Sequence, residues 1–202
     1  MPEERRTRDV GRLNAFSDGV MVVSMTLLVL DVRLPDTVAS VDGPQLLRAL
    51  AELWPKYFGY AVSFLVIAQY WMGYTEKFGG MRAVDNGFVW LNVFFLLAVG
   101  FIPFVTSVLS QNHGLVATTL YAATMVVVAS LLIAMWFYAA GKGLVDSSSP
   151  QRQQWREVAP WIQIAAVFGV SIVVAQYDPR FARLVWLFLA LPTRKAAAPR
   201  RG

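Results

Sequence analysis

The sequence predicts an all-α membrane protein with six transmembrane helices in each subunit. Three observations carry that prediction. Of 202 residues, 56% are apolar and only 15% charged, whereas a soluble domain has about 25% charged and about 45–50% apolar residues. Long apolar runs recur, most of them near the roughly 20 residues a helix needs to cross a hydrocarbon core of about 30 Å. The Val-rich runs are too long for strands. Turn and breaker clusters separate them, among them Leu34-Pro35-Asp36, Asp42-Gly43-Pro44, Gly79-Gly80, Asn112-His113-Gly114 and Asp178-Pro179.

The first span is expected at about 10–32, with its apolar heart at 20–30. It does not read as a cleaved leader, because it runs on through Leu30 with no small-residue cleavage site and carries Asp9, Arg12 and Asp18 too deep. The second is expected at about 46–74, the third at 87–109, the fourth at 115–140 and the fifth at 158–176. Pro103 lies deep in the third span and should kink it, since proline lacks an amide donor. The sixth segment, 181–191, is short, roughly 17 Å at about 1.5 Å per residue. The chain thus divides into a disordered tail over 1–8, a six-helix domain over 9–192 and a basic tail over 193–202.

Charge sets the orientation. With six spans both termini lie on one side. Arg33, Arg48, Lys56, Arg180 and Arg183 then fall on the other side, and the remaining Lys and Arg share the side of the termini. By the positive-inside rule both termini are cytoplasmic. Five spans would weaken this asymmetry, which is the best reason to count the sixth. Trp54, Trp71, Trp90, Trp136, Trp155, Trp161 and Trp186 mostly sit near span ends, where interfacial anchoring or packing explains them.

Several function classes are excluded. With no cysteine there is no disulfide, thiolate nucleophile or Cys-based metal site, and the single His113 forms no His cluster. No glycine-rich phosphate loop and no Ser/His/Asp set is present, so neither an enzyme nor a resident cofactor is expected. The net charge of +5 raises nucleic acid as a partner, but the apolar bulk favours the lipid bilayer.

Asp18, inside the first span, needs a reason, because an ionisable group in hydrocarbon is costly and faces protein or water. It either binds a permeating cation or accepts hydrogen bonds that lock neighbouring helices. At about 100° per residue, Val23, Thr26, Leu27 and Leu30 fall within an arc of about 100°, and Asp18 lies about 130° from the centre of that arc. Asp18 and the stripe therefore face different surroundings. The residues alone leave the stripe open to lipid, packed core or a pore.

Arg12-Leu13-Asn14-Ala15-Phe16-Ser17-Asp18-Gly19-Val20 followed by Thr26-Leu27-Leu28 resembles the first-helix signature of the bacterial branch of the transmembrane protein 175 family, lysosomal and prokaryotic potassium-permeable channels. Residues 57–71 resemble the second helix, and Trp90-Leu91-Asn92 with Ile102-Pro103-Phe104-Val105-Thr106-Ser107 the third. Coverage runs over roughly 8–140. The resemblance implies a homotetramer of six-helix subunits in which the first helix lines a central pore. It implies a constriction at Val23, a Thr layer at Thr26, and a lining continued by Leu27 and Leu30. It makes Phe16, Ser17 and Asp18, with Arg12, a structural knot between helices. Many relatives have a His pair after the Trp of the second helix; here Met72-Gly73-Tyr74-Thr75 follows Trp71, so Tyr74 and Thr75 are candidate replacements and Asn92 a further partner.

The expected function is a potassium-permeable, weakly selective cation channel gated by an apolar ring, in a bacterial plasma membrane, with itself, lipid and monovalent cations as partners. Asp31, which ends the first helix, is a candidate pore-mouth acid. Two other classes compete: a proton-coupled or other secondary transporter using Asp18, and a non-transporting membrane scaffold.

Overall fold

The computed structural model describes residues 2–34, 42–81, 83–112, 114–145 and 155–186. Asp36, His113 and residues 187–202, with the second half of the sixth segment and the basic tail, lie outside them. Among the described residues the fold is helical throughout. Helix α1 (Pro2–Leu27) passes into a 3-10 turn (Leu28–Asp31); α2 is Pro44–Glu52, α3 Trp54–Phe78, α4 Asn86–Gln111, α5 Leu115–Gly141, α6 Ala159–Ala175 and α7 Pro179–Leu184. Three stretches are long and apolar enough to cross a membrane: Asp9–Asp31, α4 and α5. Helix α3 has 25 residues but mixes Lys56, Gln69, Glu76 and Lys77 into its apolar sequence, so length and composition alone do not single it out as a span.

Two boundaries differ from expectation. Residues 2–8, expected to be disordered, are the first turns of α1. A proline suits a helix N-terminus, where a missing amide costs nothing. The second apolar segment is two helices, broken at Leu53. Pro55, in the first turn of α3, has no amide to donate to a carbonyl one turn back, which favours a break at this point and suits the start of a new helix.

Helix α5 packs most extensively against α6 and α4, while α1 lies on α4 and α3. The core between α3, α4 and α5 is aromatic. Tyr74 stacks on Phe95 at 5.8 Å between ring centroids, and Phe78 meets Phe88 edge-on at 5.3 Å. Lipid is as apolar as these side chains, so shape and hydrogen bonds hold such helices together. The Ser63 hydroxyl pairs with Thr106 at 2.8 Å and with Tyr121 at 2.9 Å, joining α3, α4 and α5. The tryptophans divide: Trp54 and Trp90 are exposed, whereas Trp136, Trp161 and Trp186 are buried. Trp186 donates to Ser171 at 2.8 Å, which holds the chain after α7 against α6.

Asp85 caps α4 by accepting the Phe88 amide at 2.8 Å, and its other oxygen accepts the Tyr138 hydroxyl at 2.9 Å. The Phe88 amide, and after it Tyr138, hold its carboxyl below the usual carboxylate range. The Tyr138 hydroxyl occupies the space where a Cβ at position 87 would stand, which explains Gly87. Gly73 is constrained in the same way, because its missing Cβ would meet the Trp161 indole nitrogen at 2.5 Å. Gly73→Ala is therefore expected to cost about 1–3 kcal/mol through overpacking. Gly169→Ala, on α6 with nothing within 4 Å, should be neutral or mildly stabilising, since alanine is the better helix former. Thermal unfolding in detergent measures both; equal midpoints for the two variants would contradict the packing account.

Candidate pore-lining helix

Helix α1 has a back and a front. Val10, Ser17, Met21, Ser24 and Leu28 are buried. Their spacing of seven, four, three and four residues is that of one helix face. This back face rests on α3 and α4. Its polar centre is Ser17, fully buried. Ser17 Oγ bonds the Leu13 carbonyl at 2.9 Å and the Tyr74 hydroxyl at 3.0 Å. Asn92 Nδ2, from α4, donates to the same oxygen at 2.9 Å. Tyr74 also donates to Asn14 Oδ1 at 3.5 Å, and Asn14 Nδ2 donates to the Phe78 carbonyl at 3.4 Å. One serine thus joins α1, α3 and α4. Asn92 Oδ1 is buried without a hydrogen-bond partner among the described residues.

Asp18 stands beside this network. Its Oδ1 accepts the Trp71 indole N–H at 2.9 Å. The carboxylate is thus directed at α3, at the side of α1. Of the residues singled out with it, the structure brings Ser17, Tyr74 and Asn92 together and gives Asp18 the partner Trp71. Thr75 is exposed. Arg12 and Phe16 point outward: Arg12 is exposed, has no ion pair among the described residues, and lies on the same side as the 58%-exposed Phe16. Asn14 and Trp71 are network members that sequence reasoning did not assign to it. Asn14 had a visible signal, since it lies one helical turn before Asp18 within the signature.

The front face carries Val23, Thr26, Leu27 and Leu30, all exposed, with Val23 at 54% and Leu30 at 52%. No other part of the described chain covers this apolar face. The Thr26 hydroxyl donates to the Val23 carbonyl at 2.8 Å. Its proton is thereby committed to the backbone, and its free lone pairs are what it presents outward. Beyond Leu27 the chain tightens into the 3-10 turn, in which side chains three apart eclipse. Leu30 accordingly stands over Leu27, in line with it along the axis.

Asp31 closes the helix. Its carboxylate accepts Ser107 at 2.6 Å, Ser110, and Gln111 at 3.4 Å, all from the end of α4. Both its oxygens are engaged by a neighbouring helix of the same subunit. Among the described residues no group of His, Cys, Asp and Glu is placed to hold a metal ion.

Residues 12–103 match the family described as endosomal/lysosomal potassium channel TMEM175. A potassium channel of Streptomyces collinus is 32% identical, over 94% of this chain and 98% of its own length. A potassium channel of Chamaesiphon minutus is 32% identical over 69% of this chain and 70% of its own. The human endosomal/lysosomal proton channel TMEM175 is 32% identical over 46% of this chain but only 19% of its own length. The crystal structure of a lysosomal potassium-selective channel TMEM175 homolog from Chamaesiphon minutus superposes with a TM-score of 0.77 at 26% identity, covering 91% of this chain and 95% of that one. A two-faced first helix, bonded on one side and bare on the other, thus accompanies full-length similarity, and the chain belongs to the TMEM175 family of ion channels.

Proposed function

We propose that this protein is a potassium-permeable, weakly selective cation channel, a homotetramer of six-helix subunits in which four copies of α1 surround the ion path. The observation that carries this reading is the placement of the apolar stripe. Val23, Thr26, Leu27 and Leu30 are exposed on the subunit, opposite the face that Ser17 fastens to α3 and α4. A stripe turned away from its own subunit finds cover in lipid or in other copies, and the relatives described as potassium channels favour copies around water. In this arrangement Val23 forms the narrowest ring, Thr26 supplies hydroxyl oxygens next to it, and Leu27 and Leu30 continue the wall outward. The excess of Lys and Arg on the side of the termini supports a cytoplasmic position for both in a bacterial cell.

The mechanism follows from the side chains. A ring of four Val offers no oxygen ligand to replace a hydration shell. Hydrated cations cross when the ring is wide enough to stay wet, and a narrower apolar ring dewets and blocks. Such a ring discriminates weakly among cations. Thr26 adds acceptor oxygens whose orientation is fixed by the bond to the Val23 carbonyl, which favours cations over anions.

Purified protein in a planar bilayer under a potassium gradient tests the reading. Unitary steps with a reversal potential near that of potassium are expected. A shift of the reversal potential with an imposed pH gradient would add proton permeation, the activity named for vertebrate relatives. Flux without resolvable unitary steps would favour the carrier reading, in which Asp18 is the transported-ion site. Against that reading, Asp18 is hydrogen-bonded to Trp71 and lies off the stripe. Val23→Ile, which adds a methylene to each copy of the ring, is expected to lower single-channel conductance severalfold; an unchanged or larger unitary current would remove Val23 from the constriction.

A further inference from the structure

Past Leu30 the chain runs through Asp31 and Val32 to Arg33, and the charges there are arranged unequally. Arg33 is exposed, and its Nε–H donates to the Leu30 carbonyl at 2.7 Å. That bond pins the guanidinium beside the last residue of the stripe. Lys56, at the start of α3, brings a second cation to the same place, its Nζ donating to the Arg33 carbonyl at 3.5 Å. The neighbouring acid keeps its charge but points away from them. The Asp31 carboxylate is turned to α4, where Ser107, Ser110 and Gln111 occupy it, and no ion pair among the described residues involves Arg33. Asp31, the acid that sequence nominates for the mouth, is a brace between helices, and among the described residues it is Arg33 and Lys56 that place charged groups beside the end of the stripe.

We infer that Arg33, backed by Lys56, forms an electropositive ring at the non-cytoplasmic mouth of the ion path, which lowers the local cation concentration and so limits inward current. The inference rests on the tetrameric channel reading, since only that reading brings four copies of Arg33 around one opening. A fixed charge at a mouth acts through the local ion concentration, with effects on entry of about tenfold or more where the field is focused. Salt screens it: the Debye length falls from about 30 Å at 0.01 M to about 3 Å at 1 M. The ring is thus a specificity and conductance determinant at low ionic strength, and it acts on one direction of flow, because cations entering from the cytoplasm meet it only on leaving.

The test is single-channel recording of the full chain in bilayers at both salt extremes, with wild type, Arg33→Gln and Arg33→Lys. At about 0.01 M potassium chloride, Arg33→Gln is expected to raise the inward unitary current at least about twofold. At about 1 M it should coincide with wild type. Arg33→Lys keeps the charge and loses the Nε–H bond to Leu30, and it should follow wild type at both salts. Identical low-salt currents for Arg33→Gln and wild type would overturn the inference while leaving the channel reading intact. A parallel change in Arg33→Gln and Arg33→Lys at both salts would also overturn it, showing that the side chain acts as a helix-end brace. Wild type without any unitary step would overturn the channel reading and this inference together.

Discussion

Ser17→Ala is expected to lower the stability of the folded subunit by about 2 kcal/mol. The substitution removes one oxygen and leaves two buried groups short. Asn92 Nδ2 loses the acceptor it reaches at 2.9 Å, and Tyr74 loses its better partner, keeping only the long bond to Asn14. Asn92 Oδ1 already lacks a hydrogen-bond partner among the described residues, so its whole amide would then be unpaired in the interior. Ser24→Ala is the matched comparison. Ser24 is also buried on the back of α1, but its hydroxyl donates only to the Val20 carbonyl of its own helix at 2.8 Å. Its loss should cost less than about 0.5 kcal/mol, because no neighbouring helix loses a partner. Thermal unfolding of the two variants in the same detergent separates the accounts. Equal midpoints would mean that Ser17 is no hub. A cycle of Ser17→Ala with Asn92→Leu should show coupling, since a leucine has no donor to strand.

Leu30→Asn is expected to raise open probability by about tenfold, the change that roughly 1.4 kcal/mol in the gating equilibrium produces. The 3-10 turn sets Leu30 in line with Leu27, so in the proposed assembly both belong to one apolar wall that excludes water when it narrows. Four amides in place of four isobutyl groups give water hydrogen-bonding partners at that level and oppose dewetting. Planar-bilayer recording reads the effect directly as time spent open. An unchanged open probability would take Leu30 out of the gate. Leu47→Asn, at an exposed position of α2 away from the stripe, should leave gating as it is.

The positions of α1, α4, α5 and α6 were readable in the sequence to within a few residues, apart from the early start of α1 at Pro2, because long apolar runs bounded by turn residues leave little freedom. The stripe was readable for a related reason: its angular grouping is a property of any helix with this spacing. The break at Leu53 was hidden, since apolar residues recur on both sides of the joint and no glycine or run of turn residues marks it, only Pro55. The partners of the polar residues were hidden more deeply. Ser17 meets Asn92 across 75 positions and Asp31 meets Ser107 across 76, and no local pattern encodes such distances. Asp31 shows the cost. An acid at a helix end looks available for ions until the hydroxyls of Ser107 and Ser110 are seen on it.

The division of α1 into two faces has a bearing on how such proteins diversify. The contacts that fasten the helix and the side chains that would line the proposed ion path are borne by different residues of one segment, with no position serving both. Val23 can be exchanged for a bulkier or smaller neighbour without disturbing Ser17, Tyr74 or Asn92. In the proposed channel, substitutions along one edge would retune throughput, while those along the other would act on the stability of the bundle.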